Sequence, residues 1–162
     1  MKLAVPRESE AGEPRVAATP DTVKKFVSLG FEVSVEKDAG LQSRILDADY
    51  EAAGAKIATD AKTTLADADM VLKVRRPNAD EMGLMKKGAI VIATMDPYGN
   101  DAEVEAMAKA GLTSFAMEFM PRITRAQVMD VLSSQANLAG YQAVIDAAAE
   151  YDRAMPMMMT AA

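Results

Sequence analysis

Three times in this chain a helix-start signal is followed by a glycine stop and then at once by a strand-like run. Thr19-Pro20-Asp21 supplies a cap, a proline at the first helical position and an early acid. That helix stops at Gly30, where a left-handed residue is natural. Phe31-Glu32-Val33-Ser34-Val35-Glu36 then alternates with period two, as a half-buried strand does. Asn78 and Glu81 form a capping box, Gly88 closes the second helix, and Ala89-Ile90-Val91-Ile92-Ala93-Thr94 follows as a near-continuous apolar strand. Asn100 with Glu103 opens the third helix, Gly111 ends it, and Leu112 to Met117 forms the next strand. Gly54 before Ala55-Lys56-Ile57-Ala58 is a weaker instance of the same scheme.

With Leu3-Ala4-Val5 and Met70-Val71-Leu72-Lys73-Val74 added, the strand candidates alternate with helices along the chain. Such alternation predicts an α/β fold: a mostly parallel sheet with helices on both faces, Rossmann-like or flavodoxin-like. The C-terminal third departs from it. From Arg125 to roughly Ala154 the residues read as one long helix, with Leu138, Tyr141, Val144, Ile145 and Ala148 on one stripe, and no strand follows. The predicted division is therefore an α/β domain over 1–133 and a linking helix with a tail over 134–162.

Composition removes several function classes. The chain has 162 residues with no cysteine and no histidine. Disulfides, thiolate nucleophiles, sulfur or imidazole metal sites and any Ser-His-Asp arrangement are excluded, and proton transfer would fall to Asp, Glu, Lys or Tyr. A formal charge of -6 makes nucleic acid a poor partner, because phosphate binding needs a basic face. Lys2 is followed by only four apolar residues, Leu3 to Pro6, and the best apolar run, Ala89 to Met95, is strand-length, so no signal peptide or spanning helix is expected.

In open parallel sheets, ligands sit at the carboxyl ends of the strands. Arg15 falls there in the loop after the first strand, and Lys73 lies near the end of the Met70–Val74 strand with Arg75 and Arg76 beside it. These cations form either a crevice for a carboxylate or phosphate, or a set of solvated or ion-paired surface charges. The third place is Glu118 to Asp130, after the last strand. Thr124-x-x-Gln127 reads as a capping box, so Gln127 could serve its own helix start. Arg122, Gln127 and Asp130 could equally converge on one polar ligand beside free backbone N–H groups. The methionines of Met155-Pro156-Met157-Met158-Met159 read as flexible packing for a neighbouring domain, with a soft copper site as the competing use.

Several motifs carry a family resemblance. Val5-Pro6-Arg7-Glu8 followed by Arg15-Val16-Ala17-Ala18-Thr19-Pro20 resembles the opening shared by alanine dehydrogenases and transhydrogenase α subunits. Lys73-Val74-Arg75-Arg76-Pro77 resembles their common Lys-Val-x-x-Pro motif. The stretch from Met120 to Tyr141, MPRITRAQVMDVLSSQANLAGY, with Ala143-Val144-Ile145-Asp146 and the tail Pro156 to Ala162, is similar to the NAD(H)-binding component of proton-translocating transhydrogenases.

The resemblance implies that Arg122, Gln127 and Asp130 belong to a mobile polar loop contacting the nicotinamide and ribose of NAD(H). Gln127 and Asp130 would act in hydride transfer, and Ser133 would help hold the nicotinamide end. It implies a homodimer, NADP(H) on a partner component, a membrane proton-channel component, and a peripheral place on the cytoplasmic side of the membrane. Arg15 and Lys73 match residues that bind the substrate carboxylate in alanine dehydrogenases, a role vacant in transhydrogenases. Residues 134–162 would lead toward a dinucleotide-binding domain that this sequence lacks, since none of its nine glycines lies in a G-x-G-x-x-G turn.

Two other readings compete. One is the substrate domain of an alanine- or saccharopine-type dehydrogenase. Against it, Ala93-Thr94-Met95-Asp96-Pro97 offers no histidine where alanine dehydrogenases carry a proton-transferring one. The other is a non-enzymatic orphan domain used for dimerisation or small-anion binding.

Overall fold

In the computed structural model, which describes residues 1–154, the chain divides into two compact units, Met1–Phe119 and Met120–Ala162. The first unit is built on one sheet of six parallel strands. These are β1 (Lys2–Val5), β2 (Glu32–Glu36), β3 (Lys56–Ala58), β4 (Met70–Arg75), β5 (Ile90–Thr94) and β6 (Thr113–Ala116), in the spatial order β3-β2-β1-β4-β5-β6. The expected α/β architecture is therefore present, and its order is that of the Rossmann fold. The order reverses between β1 and β4, so the crevice outside their carboxyl ends is the topological switch point.

Alternation along the strands sorts the core onto two faces. Leu3 and Val5 join Val33 and Val35 on one side, packed against Val23 of helix α1 (Pro20–Ser28) and Tyr50 of α2 (Asp47–Ala52). Ala4 faces the other way with Val71, Val91 and Ala93. There it meets Leu65 of α3 (Ala61–Leu65), Met82 of α4 (Ala79–Leu84) and Met107 of α5 (Asp101–Lys109). Tyr50 is fully buried and donates its hydroxyl to the Ala18 carbonyl at 2.8 Å, so its polar end is satisfied inside the core. Gly40 makes room for that ring: a Cβ there would meet Tyr50 Cε2 at 2.9 Å and Ile45 Cβ at the same distance.

The cap reading holds at two helices and fails at two. Thr19 caps α1 through the Thr22 amide, and Gly30 follows with φ +88°. Asn78 and Glu81 form the expected capping box. However, α4 ends at Leu84 because Met85 turns extended, and Gly88 (φ +81°) instead shapes the turn into β5. Asn100 starts α5 without a side-chain cap, its amide nitrogen reaching back to the Asp96 carbonyl at 2.8 Å.

The second unit does not open with a continuous helix at Arg125. Thr124–Met129 is a six-residue 3₁₀ turn, longer than such turns usually run. The chain then turns extended at Asp130, and the long helix α6 spans Val131–Glu150. None of the α6 residues is buried, so the predicted stripe of Leu138, Tyr141, Val144 and Ile145 is exposed. The methionine-rich tail lies outside the described residues.

Candidate functional site

The switch-point crevice carries the first group of candidate residues. Lys73 is buried, with its side chain 1% exposed, and its ammonium lies 3.3 Å from Glu8 and 2.9 Å from Glu81, themselves 2% and 8% exposed. Burying a lysine alone would be costly, so these two carboxylates hold the charge in place. Each also has a backbone duty. Glu8 accepts from the Val74 amide at 2.6 Å, and Glu81 accepts from the Asn78 amide at 2.8 Å as the far half of the capping box.

Arg15 grips Glu13 with Nε and Nη2 at 2.6 Å each, and Arg75 Nε reaches the same carboxylate at 3.0 Å. The hydrogen bond from the Arg15 guanidinium is the main reason that Glu13 is held down at a pKa of about 2. The cations read from the sequence are thus ion-paired, and the alternative of an open cationic crevice is not what this unit presents. Glu8, Glu13 and Glu81 are the partners that sequence reasoning misses. Only Glu81 carries a sequence signal, and that signal is for a helix cap.

The second group lies within Met120–Ala162. Asp130 caps α6, accepting from the Leu132 and Ser133 amides at 3.0 Å each through Oδ1. Its other oxygen accepts from the Ser133 hydroxyl at 2.7 Å and lies 3.7 Å from Arg122 Nε. Arg122 Nη2 in turn donates to Ser133 Oγ at 3.4 Å. The Ser133 amide is the first cause that lowers the Asp130 pKa, with the Ser133 hydroxyl next and Arg122 contributing less. Asp130 is therefore an anion at neutral pH.

Arg122, Asp130 and Ser133 come together; Gln127 does not join them. It is exposed on the 3₁₀ turn, and the residue before that turn, Ile123, has no capping side-chain bond. The Thr124–Gln127 capping box is therefore absent, and the Gln127 carboxamide bonds to no group among the described residues. A carboxamide that donates and accepts, a guanidinium, a hydroxyl and a carboxylate form a set suited to a polar, uncharged ring amide and a ribose. A pyrophosphate finds no glycine-rich cradle here.

Comparison with known proteins places these features in context. Residues 4–139 match the family model described as "Alanine dehydrogenase/PNT, N-terminal domain". The chain is 53% identical to the first of the NAD(P) transhydrogenase subunit alpha chains of Rhodospirillum rubrum, an alignment that takes in 100% of this chain and 44% of that protein. A solved transhydrogenase from Sinorhizobium meliloti superposes with a TM-score of 0.93 and 62% identity, covering 99% of this chain and 48% of that one. An L-alanine dehydrogenase structure is more distant, with a TM-score of 0.69 and 32% identity over 73% of this chain and 32% of its own. The chain thus spans about half the length of these two transhydrogenase proteins.

Proposed function

Because this chain belongs to the alanine dehydrogenase/PNT N-terminal domain family, we propose that it forms one wall of the NAD(H) site in a proton-translocating transhydrogenase. It would present Met120–Ser133 to the nicotinamide end of the cofactor. The division proposed is an α/β domain over 1–133, with 134–162 leading to a dinucleotide-binding domain that supplies the pyrophosphate site. NADP(H) would be held by a partner component and the proton channel by a membrane component. No described helix is long and apolar enough to cross a membrane. The chain would work as a homodimer at the cytoplasmic face of that membrane component.

When bound, NADH supplies the hydride, its C4–H bond breaking as one forms at C4 of the NADP⁺ nicotinamide, to give NAD⁺ and NADPH with no proton released. The chain's residues would contribute position and charge to that step. Gln127, which has no partner among the described residues, would pair with the nicotinamide carboxamide and fix the ring plane. Asp130, kept ionised, would hold Ser133 and Arg122 for the ribose side and place negative charge near a ring that becomes cationic as the hydride leaves.

The observation that carries this reading is the contrast within one short segment. Arg122, Asp130 and Ser133 are bonded to one another, while Gln127 beside them is exposed and, among the described residues, unpartnered. The lack of histidine in this chain supports it further, because oxidative deamination calls for a proton-transferring side chain and direct hydride transfer does not. The test is an assay of the full-length protein with its NADP(H)-binding component. Reduction of an NADP⁺ analogue by NADH is expected. Pyruvate- and ammonia-dependent oxidation of NADH without transhydrogenation would overturn the proposal in favour of an amino-acid dehydrogenase.

A further inference from the structure

The turn after β5 is held on two sides by groups to which the reading above gives no task. Asp96 sits there at φ +46°, a left-handed conformation that costs a non-glycine residue about 1 kcal/mol. The Met95 amide lies 2.9 and 3.0 Å from the two carboxylate oxygens of Glu118, and the Asp96 amide donates to the same carboxylate. Successive amides converging in this way make a small anion nest, and the chain fills it with its own side chain. From the opposite side Arg76 Nη1 donates to the carbonyls of Met95 and Asp96 at 2.9 and 3.0 Å. The Tyr98 ring meets Phe119 edge-on, with centroids 5.7 Å apart.

Glu118 and Phe119 are the last residues of the first unit, and Met120 opens the segment that carries Arg122, Gln127 and Asp130. We propose that Glu118 is a positioning residue for hydride transfer: its grip on the Met95 and Asp96 amides fixes where the chain leaves the sheet to form the cofactor-facing segment. The inference rests on the reading of Met120–Ser133 as that segment. Charge-assisted bonds to backbone amides are strong and directional, so a carboxylate here holds its own backbone in register with the β5 turn. A glutamine keeps one accepting oxygen but turns an N–H toward the Met95 amide, and alanine keeps neither contact. Loss of the grip would let the segment wander, and displacements of about 1 Å remote from the chemistry can slow a positioned reaction as much as a hundredfold.

The experiment uses the full-length protein assembled with its NADP(H)-binding component. Glu118→Gln, Glu118→Ala and Gln127→Asn are compared in single-turnover hydride transfer, NADH affinity and amide exchange across residues 120–130. Glu118→Gln is expected to slow transfer about tenfold, with NADH affinity within about twofold and faster exchange over 120–130; Glu118→Ala does more. Unchanged exchange over 120–130 in Glu118→Gln overturns the positioning role. So does a lowered melting temperature with wild-type transfer while Gln127→Asn is slow. If Gln127→Asn transfers at the wild-type rate, the reading of the segment is what fails. Glu118→Gln keeps an accepting oxygen, so the test stands if Glu118→Ala does not fold.

Discussion

Lys73 illustrates why a cation at the end of a parallel strand cannot be read as an anion site from its spacing. Its position near the β4 end is legible in the run Lys73-Val74-Arg75-Arg76, but its two carboxylates come from a loop after β1 and from the following helix. Pairing over such separations leaves no periodic trace in a single sequence. Glu13 is the most strongly perturbed acid of this cluster, and its effect on stability has a definite sign. Its folded pKa of about 2 lies below the ordinary value of 4.5, so the unfolded chain takes up a proton first as the pH falls. The stabilisation is fully present above about pH 4.5 and is lost as the pH drops toward 2. Urea unfolding of wild type and Glu13→Gln at a series of pH values should show a stability gap that closes on acidification through that window. A gap constant down to about pH 2 would mean that the Arg15 and Arg75 contacts do not perturb Glu13.

Among elements, caps written entirely in local sequence are readable, and those set by distant contacts are not. Thr19-Pro20 and Asn78 with Glu81 do what their sequence predicts. Asn100 fails because the left-handed turn at Asp96 brings a carbonyl within reach of its side chain. The helix expected from Arg125 is delayed because Asp130 outcompetes Thr124 as a cap, taking two amides of α6 where Thr124 takes none. That competition yields a prediction. Asp130→Ala should lower stability by about 1 kcal/mol, whereas Asp130→Asn should cost close to nothing, since asparagine caps as well as aspartate. Chemical unfolding of the full-length protein measures both. Equal losses would mean that the charge facing Arg122, and not the cap, holds the segment. Asparagine thus separates the structural duty of Asp130 from its proposed duty toward the cofactor.

For the molecule as a whole, alternation of helix and strand is enough to predict a parallel α/β sheet, but nothing local specifies the order β3-β2-β1-β4-β5-β6 that locates the switch point. The candidate site is legible in a different way. Arg122, Gln127, Asp130 and Ser133 stand out through resemblance, because a 3₁₀ turn joined to a helix start has no chemical signature of its own. The structure joins three of them into a network and leaves Gln127 outside it. Family membership is shown by residues 4–139, whereas hydride transfer needs segments that this chain, at 44% of the length of its Rhodospirillum rubrum relative, does not contain. The decisive measurement is therefore single-turnover hydride transfer from NADH to an NADP⁺ analogue by the complete, assembled protein, in wild type and Gln127→Asn. Shortening that carboxamide by one methylene should slow transfer about tenfold or more while unfolding stability stays within about 0.5 kcal/mol, because the Gln127 side chain bonds to nothing among the described residues. Wild-type transfer in Gln127→Asn, at unchanged NADH affinity, would contradict the account by removing that carboxamide from the reaction.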